Sequence, residues 1–279
     1  MLTAEQVDGF ERDGYLVLPS MISEDDCDRL RARTGEMLDE VEPSDIAAVF
    51  STDEEDANVR DAYFLESAHS MKFFWEAEAV EADGTLNRPK HLAVNKFGHA
   101  MHDLDPTYDH FTRKTGLGDV ATDLGWADAL LTQAMYIYKQ PGIGGEVVLH
   151  NDHAFLWTEP MRTLGFWVAL EDADTGNGCL WAEPGGHKTH PQRSRFRRTG
   201  EDSTVLEEFG PIPEHGELVS LEVPKGSVVV LDGMLPHRSD ANRSGRSRHA
   251  FTLHVIDPTA DFPDDNWLQR PDDLPFRGF

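Results

Sequence analysis

The pattern of apolar and polar positions divides the chain into two textures. In the first, Thr3 and Gln6 form a T-x-x-Q capping pattern ahead of Val7 and Phe10, which predicts a helix that ends at Gly14. Tyr15–Pro19 reads as a short strand. Ser23, followed by Glu24, Asp25 and Asp26, then opens a second helix through Leu30, Met37 and Leu38. Acids are favourable there because the first turn of a helix carries unpaired N–H groups and the positive end of its dipole. Residues 41–60 are polar and rich in Asp and Glu, the pattern of an exposed loop.

From about residue 130 the apolar runs become short and β-rich: Ala134–Lys139, Val147–His150, Leu164–Leu170, Leu218–Val223, Ser227–Leu231 and Ala250–Ile256. Between them stand PGIGG (141–145), TGNG (175–178), PGG (184–186) and PKG (224–226). Short strands separated by Gly/Pro turns predict an all-β barrel or sandwich, not alternating βαβ units. The Pro- and Asp-rich tail from Asp257 is expected to pack as irregular structure. With no repeat, low-complexity tract or linker in view, a single domain over 1–279 is expected. Its helical part would span about 1–130, its β core about 131–256 and its tail 257–279.

Apolar residues make up 39% and aromatics 9%, spread from end to end, so the chain is expected to fold around a sizeable core. The charge is less ordinary. Lys+Arg 25 against Asp+Glu 51 leaves −26, a field that argues against DNA, RNA or an anionic membrane as partners. Only seven of the cations are lysines, a composition that suits a saline cytoplasm. Melting temperature and activity are therefore expected to rise from low into molar salt. Screening shortens the reach of like-charge repulsion from about 10 Å at 0.1 M to about 3 Å at 1 M. A flat or falling melting temperature over that range would remove the saline reading. The opening residues carry charge at once with no apolar h-region, and no run approaches a membrane span, so a cytoplasmic location is expected. Cys27 and Cys179 are far apart and lack C-x-x-C spacing, so both are expected to be buried free thiols.

Thirteen histidines exceed what a single site needs, and most, including His69, His110, His190 and His215, are expected to be surface or ordinary packed residues. His150 differs because it closes the apolar strand of V-V-L-H-N-D-H. Residues i and i+2 of a strand share a face, so His150 and Asp152 should point the same way and His153 the other. An imidazole and a carboxylate on one face can reach one cation. A histidine from a distant strand would complete a 2-His-1-carboxylate facial triad, which leaves coordination positions open. Val228–His237 supplies one, as a strand and turn that deliver His237. Arg248 follows eleven residues later, at the start of the next strand. An arginine suits the distal carboxylate of a keto acid because it is permanently charged and can bond both oxygens. Arg238, Arg243 and Arg246 read as solvated loop charges.

H-x-D (150–152), the NGCLW…PGGH run (177–187), and His237 with Ser239, Asn242, Ser244 and Arg248 resemble the phytanoyl-CoA dioxygenase family. The resemblance extends from the N-terminal F-x-x-D-G-Y-L-V-L-P through AVNKFGHAMH (93–102) and QAMYIYKQPGIGGEV (133–147) to DNWLQ…LPF (265–276). It implies a mainly β fold, a double-stranded β-helix (jelly-roll) core with helices outside. It implies His150, Asp152 and His237 as ligands of Fe(II), and Lys96, Met135, Trp167, Ser239 and Arg248 as contacts of 2-oxoglutarate. The reaction implied consumes O2 with 2-oxoglutarate, aided by ascorbate, releases succinate and CO2, and hydroxylates a small-molecule substrate. Related halogenases lack the carboxylate ligand, so Asp152 points to hydroxylation. Gly186 departs from the more usual PGSH, which removes any hydroxyl role there, and the N-G pair at 177–178 reads as hairpin chemistry.

Two other readings stay open at this point. One is a cupin-like metalloenzyme that needs no keto acid; the other is a non-catalytic jelly-roll binding protein. Zinc, with its preference for tetrahedral His-rich sites, would give Ser239 and Arg248 no role. Arg193, Arg195, Arg197 and Arg198 form one basic cluster, read as a loop stapled to nearby acids.

Overall fold

A computed structural model describes residues 1–46, 49–50, 57–211 and 214–279. The local signals act first. Helix α1 (Ala4–Asp13) carries the capping box, with Thr3 Oγ1 accepting the Gln6 N–H at 3.2 Å and Gln6 Oε1 accepting the Thr3 N–H at 2.9 Å. It gives way through Gly14 to β1 (Tyr15–Leu18), and Ser23 caps α2 (Glu24–Glu40) by accepting the Asp26 N–H. Of the loop expected over 41–60, residues 47–48 and 51–56 lie outside the described residues. Then come β2 (Val49–Phe50), α3 (Ala57–Glu66), β3 (Met71–Glu76), β4 (Val94–His99), and three helices: α4 (Met101–Leu104), α5 (Pro106–Lys114) and α6 (Leu117–Asp123).

The β-rich part runs β5 (Leu130–Ile137), β6 (Val147–His150), β7 (Thr163–Ala169) and β8 (Leu180–Ala182), with the one-turn helix α7 (Gly186–Thr189) after it. The hairpin of β9 (Ser194–Gly200) and β10 (Ser203–Glu208) is followed by β11 (Val219–Leu221), β12 (Val228–Asp232) and β13 (His237–Ser239). The last strands are β14 (Ala250–Ile256) and β15 (Arg277–Gly278).

Beside the two-stranded β9–β10 hairpin, two larger open sheets result. The large one is ordered β1-β12-β7-β14-β5-β4-β3-β2, with β15 beside β5, and the small one β11-β8-β13-β6. All pairs are antiparallel except the short β2–β3 contact. The first 130 residues are therefore not simply a helical layer, because β1, β2, β3 and β4 extend the large sheet on both sides. Among the strands missed in the sequence, β8 and β13 are three residues each, too short to display a period.

Register decides what each face of the large sheet meets. Phe166, Val168, Phe251, Leu253, Tyr136 and Phe97 fall on one face and pack with Leu30 and Met37 of α2, Phe111 of α5 and Leu117 of α6. Burying each such side chain contributes on the order of 1.5–3 kcal/mol. The opposite face carries Trp167, Ala169, Val229 and Ala250, which meet Leu180, Ala182 and Leu221 of the small sheet. This is the jelly-roll arrangement, with a second apolar layer between the sheets.

The tail is irregular yet anchored: Trp267 and Leu268 are buried against Leu65, Ala68 and Leu156. The arginine-rich stretch forms strand β9 instead of a loop. There Arg195 pairs with Asp265, Arg197 with Glu207, and Arg198 donates to the Trp267 carbonyl, so its acids staple it as read. Cys27 and Cys179 are both buried free thiols, and among the described residues no helix is long and apolar enough to cross a membrane. A Cβ at Gly186 would stand 2.7 Å from Pro236 Cδ, which explains why no serine occupies that position.

Candidate active site

The small sheet places the histidines. His237 of β13 pairs directly with His150 of β6 on one side and with Ala182 of β8 on the other. Directly paired residues share a face, and Ala182 lies in the layer between the sheets, so both imidazoles face the large sheet. Strand β6 ends at His150, however, and Asp152 starts a 3-10 turn over Asp152–Ala154. The shared face expected from strand alternation is thus replaced by a turn, capped by Asn151 Oδ1 accepting the Ala154 N–H at 3.0 Å. The turn still delivers the carboxylate. Asp152 Oδ1 lies 3.7 Å from His150 Nε2 and 3.7 Å from His237 Nε2.

Both imidazoles have their tautomer fixed. His150 Nδ1 is 2.8 Å from the Val148 carbonyl and His237 Nδ1 is 3.0 Å from that of Leu235. Each Nδ1 therefore donates, and each Nε2 lone pair is left facing Asp152. Two lone pairs and a carboxylate at these separations could hold a metal ion. Donors on one metal at ~2.1 Å sit roughly 3 Å apart at right angles, so each imidazole would need to approach the Asp152 oxygen by less than an ångström to share a divalent ion with it. Burial, reinforced by His237, lowers the His150 pKa to about 4, which keeps it neutral and able to ligate. Burial works against ionisation of Asp152, but the imidazoles of His254 and His237 outweigh it and hold the carboxyl below the ordinary range.

His254, absent from the sequence reading, supports that carboxylate. Its Nε2 is 3.1 Å from Asp152 Oδ2, while Gln133 Nε2 donates to its Nδ1 at 3.2 Å. The amide thereby leaves the imidazole proton on Nε2, facing Asp152. Such outer partners orient a metal ligand. Gly165 makes the approach feasible, since a Cβ there would stand 2.9 Å from Asp152 Oδ2. His153, by contrast, is buried and accepts the Thr158 N–H at 3.1 Å, the packing role expected of it.

The remaining residues gather at a second, cationic corner. Arg248 is 1% exposed; its Nε donates to the Gly178 carbonyl at 3.1 Å and its guanidinium lies 5.2 Å from the Trp167 ring centre. Its Nη1 has no hydrogen-bond partner among the described residues. Burial lowers its pKa only to about 10, so it stays charged. Ser239 lies two residues beyond His237 and pairs with Leu180, on the same inward face. Its hydroxyl accepts from Lys139 Nζ at 2.8 Å, and the same ammonium donates to the Gly145 carbonyl at 2.7 Å.

Lys139 was missed in the sequence, although its rarity as a lysine just before PGIGG was a usable signal. Burial, with Arg248 near it, lowers its pKa to about 6. Met135 and Trp167 both pair with Thr252, so they lie in one row across the inward face of the large sheet. Lys96, paired with Ile137, lies two residues along the same face, with its ammonium 5.3 Å from the Phe64 ring and 5.1 Å from that of Phe74. His150, Asp152 and His237 thus converge, Arg248 lies beside Trp167 and Ser239 beside Lys139, and Met135, Trp167 and Lys96 share one face of the large sheet.

The family profile described as Phytanoyl-CoA dioxygenase (PhyH) matches residues 10–250. Phytanoyl-CoA dioxygenase of Arabidopsis thaliana is 44% identical over 270 residues, covering 96% of this chain and 94% of that protein. Phytanoyl-CoA dioxygenase domain-containing protein 1 of Bos taurus is 38% identical, covering 99% and 97%. Among solved structures, the fold is similar to a non-heme alpha ketoglutarate dependent carbocyclase, SnoK, from nogalamycin biosynthesis (TM-score 0.65, 17% identity, 99% of this chain and 96% of that one). It is also similar to EctD from S. alaskensis, solved with 2-oxoglutarate and 5-hydroxyectoine (TM-score 0.64, 21% identity, 98% and 86%). The chain belongs to the phytanoyl-CoA dioxygenase family and is an iron- and 2-oxoglutarate-dependent oxygenase.

Proposed function

We propose that the protein hydroxylates a small-molecule substrate, with Fe(II) held by His150, Asp152 and His237. The cationic corner of Arg248, Lys139 and Ser239 takes the distal carboxylate of 2-oxoglutarate. The observation that carries this reading is a buried, charged guanidinium whose Nη1 is unpartnered among the described residues, near a buried lysine, in the same fold as three converging candidate metal donors. When bound, iron and the keto acid supply the activation of O2, with decarboxylation to succinate and CO2. The protein's own part is orientation. His254 and Gln133 fix the Asp152 carboxylate, the backbone carbonyls of Val148 and Leu235 fix the histidine tautomers, and Trp167 and Met135 form the apolar floor that excludes water. Lys96 adds a second buried amine on the same face. O2-dependent succinate formation from 2-oxoglutarate, with Fe(II) and ascorbate added, tests the proposal. No turnover of the keto acid by iron-loaded protein would return the reading to a metalloenzyme that needs none.

The two lysines add a pH dependence. Burial lowers Lys96 to about 7, and burial with Arg248 nearby lowers Lys139 to about 6, so at pH 8 both amines are mostly neutral. An arriving dianion favours their charged forms and raises those pKa values. Binding is then expected to take up protons and to weaken as pH rises above 7, by up to about tenfold per unit for each proton taken up. Calorimetry in two buffers of different ionisation enthalpy measures the uptake, and Lys139→Met should reduce it. An affinity flat from pH 7 to 9, with no uptake, would show that neither amine meets the co-substrate.

A further inference from the structure

We infer that the protein carries a second metal site, for a zinc-like divalent cation, built from Glu183, His190 and His215. These three residues come from separate segments: the residue after β8, the residue after α7, and the stretch that leads into β11. His190 Nε2 stands 2.7 Å from Glu183 Oε1 and His215 Nδ1 stands 2.9 Å from Glu183 Oε2. The imidazole ring centres are 4.8 Å apart. One ligand atom of each residue lies within 4.8 Å of those of the other two, the convergence found also at His150, Asp152 and His237.

The donors are sheltered, with the Glu183, His190 and His215 side chains 8%, 13% and 24% exposed. Two imidazoles and one carboxylate, with solvent at hand for a fourth ligand, are the donor set that tetrahedral zinc accepts. The site is separate from the first. Among the described residues, none of Glu183, His190 and His215 pairs with His150, Asp152 or His237. The acidic surface, at −26 overall, favours a cation there, since it raises the local concentration of divalent ions.

A bound ion would clip α7 and the 214–216 stretch to the backbone beside His237. The Glu183 N–H already donates to the Pro236 carbonyl at 3.0 Å. The alternative is a carboxylate bridging two neutral imidazoles with no ion, and cobalt separates the two. Metal-free protein is dialysed against Co2+ and its bound metal counted, with visible spectra recorded. The wild type is expected to hold two ions per chain, one of them showing the strong visible absorption of four-coordinate cobalt. His215→Ala and Glu183→Gln should each hold one and lose that absorption, whereas Asp152→Ala should keep it. Retention of the other ion by His215→Ala reports that this variant is folded, and His190→Gln provides a second, milder change. A wild type that holds a single ion, lost in Asp152→Ala, would overturn the site, as would a strongly absorbing ion that survives in His215→Ala.

Discussion

Asp152→Ala is expected to abolish succinate formation and to weaken Fe(II) binding by more than two orders of magnitude. The carboxylate is the one charged donor among His150, Asp152 and His237. Outer-sphere partners alone are worth about 10–100-fold in metal affinity, so removing the ligand they support should cost more. The change also removes the carboxylate that His254 Nε2 faces at 3.1 Å. His153→Ala is the control, one residue away. Its ring accepts the buried Thr158 N–H, so its loss should cost about 1–3 kcal/mol of stability while iron binding and part of the turnover survive. Iron content, succinate yield and melting temperature of the two variants check both statements. Normal iron binding and turnover in Asp152→Ala, with loss of both in His153→Ala, would reverse the ligand assignment.

Arg248→Ala is expected to spare iron and damage the co-substrate site. The guanidinium is buried and charged, lies 5.2 Å from the Trp167 ring centre, and has its Nη1 unpartnered among the described residues. Truncating one side of a buried charge pair costs about 2–5 kcal/mol, which corresponds to roughly 30- to 3,000-fold weaker 2-oxoglutarate binding. Arg248→Lys should recover only part of that, because an ammonium cannot reproduce the planar fork. Titration of 2-oxoglutarate into the anaerobic Fe(II) protein, followed by the metal-to-ligand charge-transfer band, gives the affinities. Lys139 lies close enough to lower the loss by accepting the carboxylate itself, so Arg248→Ala combined with Lys139→Met should bind more weakly than either. If Arg248→Ala is folded and iron-replete yet binds 2-oxoglutarate as tightly as the wild type, the cationic corner serves another purpose.

The sequence by itself determined whatever is encoded over a few neighbouring residues. The capping box at Thr3 and Gln6 and the stop at Gly14 form as read because local hydrogen bonds decide them, and the strands Val147–His150 and Ala250–Ile256 form as read because each is a short apolar, β-rich run bounded by turn signals. His150, Asp152, His237 and Arg248 were legible for a related reason. Their residue types are costly to bury without a purpose, and the spacing places them at strand ends.

Only the tertiary structure decided the rest. Strands β3 and β4 are largely buried, so they lack the alternation that marks a half-exposed strand, and long-range pairing with β5 is what makes them strands. The turn that carries Asp152 is set by Asn151 and by packing against Gly165 and His254, which are 89 residues apart in the chain. Lys139 becomes a site residue through Ser239, and Glu183 meets His190 and His215 because the small sheet, α7 and the 214–216 stretch fold together. Such contacts leave no local pattern, since their energy comes from desolvating groups that are distant in sequence and pay for it only once the two sheets have closed on each other.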